Sequence, residues 1–204
     1  MTKGKTILLM IIGLAGISWG VYECNYYVSY RNDLSQRPWA YSEDKKADLL
    51  VGTWQGNFLD PDGVRKTIRL EILVPMTEDE RAKKASHRTR HRKGLGSRSD
   101  KKRFDGFATV TSQRGIEEYE FYGAVSDKTG SRLNTIHFRA LDEKQQLRKN
   151  FNVLSAVDGG QWQGDQLILT LAFTYNTATG SGYSSSADPR FDKKVTVHFS
   201  RVQS

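Results

Sequence analysis

Downstream of Leu50, apolar residues recur at every second position in short runs broken by turn-formers, and no amphipathic helical period interrupts them. Alternation of this kind buries one face of a strand and leaves the other in water. The pattern predicts eight strands, near 50–58, 64–74, 104–112, 116–125, 132–140, 151–157, 165–175 and 193–202. The first two are joined by Asp60-Pro61-Asp62-Gly63, residues suited to a tight turn. Eight strands with hairpin-sized links suggest an all-β fold, a single antiparallel up-and-down barrel. Closing the sheet on itself removes the exposed edges that an open one would carry. On the inward parity lie Ile68, Leu70, Ile72 and Val74 in the second strand, and Leu167, Leu169, Leu171 and Phe173 in the seventh. Val195, Val197, Phe199 and, unexpectedly, Arg201 share that parity in the last strand.

The first strand raises a second question. In "LLVGTWQGNF", Leu49 to Phe58, Gly52 and Gly56 flank Trp54 on one face, although glycine weakens a strand interior. A close approach at Gly52 and a strong bend at Gly56 would account for both. A buried guanidinium is costly unless it is satisfied, and an indole face suits a flat cation, so Trp54 and Arg201 make natural partners. Gly-x-Trp on the first strand with an arginine closing the last resembles the lipocalin, fatty-acid-binding-protein and avidin group (calycin-type barrels). The resemblance spans about 150 residues, from Gly52 to Val202, and implies a barrel base plugged by Trp54 beneath Arg201. A β-sandwich with Trp54 as ordinary core is the competing architecture. "GTWQG" is also similar to the start of nitrobindin-type haem barrels, which would make His198 an iron ligand. Alternation places His198 opposite to Arg201, and Phe58 stands where a third glycine is expected. No cofactor is therefore expected.

Charge is concentrated in one place. Residues 76–103 carry 11 of the 31 Lys and Arg but four of the 23 Asp and Glu, a net +7 within a total of +8. This segment, a basic insertion between the second and third strands, holds too little apolar surface to order itself and is far longer than a hairpin requires. Arg88, Arg90, Arg92, Lys93, Arg98, Lys101, Lys102 and Arg103 are its candidate anion-binding residues. Phospholipid head groups, an acidic envelope polymer and an acidic protein are the anions considered, against a plain solvated loop. Nucleic acid is disfavoured because no aromatic side chains interleave the cations to stack bases.

The N-terminus reads as an anchor. Thr6 to Tyr22 has no charged residue and would make about 25 Å of helix. Trp19, Tyr22, Tyr26 and Tyr30 follow on one stripe, as in an interfacial aromatic belt. The expected organisation is an anchor over 1–30 (transmembrane helix about 6–28), a linker over 31–49 and the barrel over 50–204. Lys3 and Lys5 place the N-terminus in the cytoplasm and the barrel outside it, periplasmic or extracellular, against the contrary charges of Arg31 and Arg37. The alternative is a cleaved signal peptide and a secreted domain. Cys24, the one cysteine, excludes an intramolecular disulfide.

Catalytic constellations are scarce. Glu118 and Glu120 share a strand face that reads as outer surface. His87 and His91, four apart, sit among arginines that repel a divalent cation. No nucleophile elbow or phosphate-cradling glycine loop occurs. The polar stretch Asn176 to Arg190 would hang at one mouth of the barrel, as a lid or as slack chain, and a second "WQG" at Trp162 to Gly164 is too short to signal duplication. These features point away from an enzyme. The expected function is a membrane-anchored extracytoplasmic interaction or scaffold module that meets an anionic surface through its basic segment. A lipocalin-like carrier of a small apolar ligand is the alternative.

Overall fold

The computed structural model describes residues 3–44, 46–76, 101–127, 130–141, 149–177 and 182–202, with the side chains of 3–9, 25 and 29 outside that description. Two units are distinguished, the N-terminal helix in one and the barrel, from Arg37 onward, in the other.

Helix α1 (Lys3–Gln36) is 34 residues long. Met10, Ile11, Ile12, Leu14, Ile17 and Val21 are all more than half exposed on it, and Trp19 donates its indole N–H to Glu23 across one turn (3.2 Å). Among the described residues, no helix is long and apolar enough to cross a membrane. The apolar run that suggested a span begins at Thr6, and its first four side chains fall outside the described ones.

The barrel strands are β1 (Gly52–Leu59), β2 (Arg65–Ile72), β3 (Arg103–Ser112), β4 (Gly115–Ala124), β5 (Arg132–Leu133), β6 (Ile136–Ala140), β7 (Asn150–Gln163), β8 (Gln166–Asn176), β9 (Gly182–Tyr183) and β10 (Val195–Arg201). Each of β1, β2, β3, β4, β6, β7, β8 and β10 pairs antiparallel with the next, and β10 returns to β1, giving a closed eight-stranded up-and-down barrel. The two-residue strands β5 and β9 flank it, on β7 and β8. Alternation sets the inside: Ile68, Leu70, Val110, Phe121, Leu167, Leu169, Leu171, Val197 and Phe199 are all buried in one continuous core.

Four sequence expectations need correction. The run 132–140 is two strands, because the chain leaves the ladder at Asn134 to bond the Ala124 carbonyl. The strand expected over 151–157 runs instead from Asn150 to Gln163, with two register shifts, and takes in Trp162 and Gln163 of the second "WQG". Val74 lies beyond β2 and is exposed. Residues 31–49 are not a free linker: α1 runs to Gln36, and Trp39, fully buried, packs on Phe104 (centroids 6.0 Å apart) while its carbonyl accepts the Leu50 N–H.

Candidate functional site

One end of the barrel is closed by the pair that the first and last strands supply. Trp54 and Arg201 are register partners across β1 and β10, and the Arg201 Cζ lies 4.3 Å from the indole centroid. Trp54 is fully buried and donates its N–H to the Leu50 carbonyl (2.9 Å). Each nitrogen of the Arg201 guanidinium donates to an acceptor: Nε to Asp165 (2.8 Å), Nη1 to the Val51 carbonyl (3.0 Å) and Nη2 to the Leu49 carbonyl. The two glycines have local causes. Gly52 has φ +123, and a Cβ there would stand 2.9 Å from Arg201 Nη1. A Cβ on Gly56 would stand 2.7 Å from Val197 Cγ1 and 2.9 Å from the His198 carbonyl, where β10 closes on β1.

The opposite end holds a buried polar cluster that was not among the sequence candidates, although its residues carry inward parity. Lys66 is two residues before Ile68 and Glu117 two before Tyr119, so both carry inward parity, and both are buried. Lys66 Nζ donates to Glu117 Oε1 (2.7 Å) and to the Phe151 carbonyl (2.6 Å), with Asp60 Oδ2 3.6 Å away. In the ring of eight, β2 and β7 face each other, so the Lys66 side chain crosses the lumen from one wall to the other. Asn150 Nδ2 donates to the same Glu117 Oε1 (2.5 Å), and Tyr119 OH to Glu117 Oε2 (2.7 Å). Arg114 Nη1 reaches in from the rim to Asn150 Oδ1 (3.1 Å) and Asp62 (3.2 Å).

Part of this cluster replaces a missing ladder. β6 pairs with β7 at Ile136↔Ala156 and His137↔Ser155, and among the described residues, 150–153 of β7 have no strand partner on that side. Unpaired buried backbone groups are costly, and here side chains take them. The Val153 N–H donates to Tyr119 OH (3.3 Å), the Phe151 carbonyl accepts Lys66, and the Asn150 carbonyl accepts Asn152 Nδ2 (3.4 Å).

Over this end, Phe191 packs on Phe151 and Tyr175 (5.3 and 5.9 Å), and Arg190 bonds Asp188 and Asp62. The hydrogen bond from the Arg190 side chain, then that from its backbone N–H, holds the Asp188 carboxyl below its ordinary range; the same pairing raises Arg190.

Glu118 and Glu120 are exposed on β4, and His198 is exposed on β10. Lys101 is half-buried and Lys102 and Arg103 are exposed, Lys102 bonding the Ser126 carbonyl (3.1 Å). Arg88, Arg90, Arg92, Lys93, Arg98, His87 and His91 lie outside the described residues, as do residues 178–181 of the expected lid. Cys24 is an exposed free thiol.

No family model matches this chain, and no curated protein matches it either.

Proposed function

We propose that this protein is a tethered barrel that works through its outer surface, held at a membrane by its N-terminal segment and meeting an anionic surface outside the cytoplasm through residues 76–103. The observation that carries the reading is the state of the barrel interior. A void large enough for a ligand leaves accessible area on the side chains that line it. Trp54, Ile68, Val110, Leu169, Leu171, Val197 and Phe199 have 0 % exposure, and Lys66 crosses the lumen at the other end. This favours a packed core over a carrier's pocket.

The apolar run Thr6 to Tyr22 and the exposed Met10, Ile11, Ile12, Leu14 and Ile17 support the tether. The net +7 of residues 76–103 supports the anionic partner, since each Lys or Arg near an anionic bilayer contributes about 1 kcal/mol. The test uses the full chain in nanodiscs, scored for capture of phosphatidylglycerol vesicles at low and high salt. Replacing Arg88, Arg90, Arg92 and Lys93 with serine abolishes salt-sensitive capture if the reading is right; undiminished capture overturns it. Native mass spectrometry of the mildly extracted protein tests the rival, which a co-purifying apolar ligand would restore.

A further inference from the structure

We propose that Lys66 and Asn150 become joined by an isopeptide bond, formed by the chain itself, that braces opposite walls of the barrel. The arrangement gathers a nucleophile, a carboxamide and a carboxylate that bonds both. Lys66 supplies the nucleophilic nitrogen from β2 and Asn150 the carboxamide from β7; both are at least 97 % buried. One carboxylate oxygen, Glu117 Oε1, accepts from the amine (2.7 Å) and from the amide nitrogen that would leave (2.5 Å). A proton relay between attacking and departing nitrogens needs that shared acceptor. Arg114 Nη1 donates to Asn150 Oδ1 (3.1 Å), the oxygen on which charge grows as the carbon becomes tetrahedral. The Phe151 carbonyl, 2.6 Å from Nζ, fixes the amine's direction. Burial excludes the water that would compete as nucleophile.

The step balances without a co-reactant. Glu117 takes one proton from the Lys66 ammonium, and the freed lone pair attacks Cγ of Asn150. Negative charge moves onto Oδ1 beside Arg114, and Glu117 passes its proton to Nδ2. The Cγ–Nδ2 bond breaks as the carbonyl re-forms, and the surplus Nζ proton departs with the ammonia as ammonium. Nothing is oxidised or reduced. Two carboxylates also lie near Nζ, Glu117 (Oε1 at 2.7 Å) and Asp60 (Oδ2 at 3.6 Å), but joining either to the amine would expel water, not ammonia.

Intact-mass and peptide mass spectrometry of the purified full chain test the proposal. The expected protein is lighter than its sequence by one ammonia, and its digest contains the Lys66 peptide covalently joined to the Asn150 peptide. Glu117→Gln retains the full mass. A wild-type chain of full mass overturns the proposal, whatever the variants do. So does an ammonia loss that maps to any other residue, as from asparagine cyclisation, or a loss of water that joins Lys66 to Asp60.

Discussion

The guanidinium of Arg201 and the indole of Trp54 are stacked at 4.3 Å on directly paired positions of β10 and β1, the two strands whose pairing closes the barrel. The contact joins residues 147 positions apart and ties the first strand of the barrel to the last. Arg201 also bonds the carbonyls of Leu49 and Val51, the segment leading into β1. One side chain thereby caps the indole and ties down the chain's approach to it.

Changing either partner should therefore destabilise the barrel. Trp54→Ala deletes a fully buried indole and should destabilise the barrel by about 3–5 kcal/mol. Arg201→Lys keeps the charge but loses the flat stack and the fork of donors, at about 1–3 kcal/mol. Denaturant unfolding of the full chain, followed by tryptophan fluorescence, gives both values; a loss under about 1 kcal/mol for Trp54→Ala contradicts a structural role for the plug.

Gly56 tests the closure from the backbone side. Its missing Cβ leaves room for Val197 Cγ1 and the His198 carbonyl, at 2.7 and 2.9 Å from where that atom would stand. Gly56→Ala should prise β10 from β1 and cost about 1–3 kcal/mol, as overpacking does. Faster amide exchange at Gly56 and Phe199, with β3 and β4 unchanged, would locate the damage at this seam.

The closure was legible in the sequence because each of its signals is local. Inward parity runs along β1 and β10 unbroken, and a glycine beside a tryptophan marks a close approach at the residue itself. The cluster at the other end was legible in the same parity, which carries through Ile68 to Lys66 and through Tyr119 to Glu117. Lys66 and Glu117 are easily overlooked there, because a charged residue at the edge of an inward-facing run looks like the end of a strand. What no local pattern shows is the gap between β6 and β7. Whether two strands stay paired depends on the link between them, and the polar side chains inside the barrel make sense only once that gap is seen. The packing of Trp39 was hidden for a similar reason: its neighbours Arg37, Pro38 and Tyr41 read as linker, and the pocket that receives it is built by Phe104, far along the chain.

Asp188 and Arg190 give a pH signature at the rim. The carboxyl's pKa is held below its ordinary value of 3.8 chiefly by the Arg190 side-chain hydrogen bond. A depressed folded pKa contributes stability that is present above the unfolded value and is lost as pH falls through the folded one. Carboxyl-detected NMR should find a midpoint below 3.8 for Asp188, rising to the ordinary range in Arg190→Gln. Added salt should raise the wild-type midpoint, because the pair is exposed and screened.

Tyr119 offers the sharpest local test of the β6–β7 gap. Its hydroxyl accepts the Val153 N–H (3.3 Å), a bond that β6 would supply in a regular ladder, and donates to Glu117 (2.7 Å). Tyr119→Phe keeps the ring against Phe138 (centroids 6.0 Å apart) and removes the oxygen alone. The Val153 amide is then buried with no acceptor, a loss of about 1–3 kcal/mol. Hydrogen exchange separates this from general loosening. The Val153 amide should exchange faster by one to two orders of magnitude or so, following that free-energy change, while Val110, in the intact β2–β3 ladder, slows or speeds only with global stability. Equal acceleration at both amides would mean that the hydroxyl does not stand in for the absent strand, and that the gap is closed by other groups.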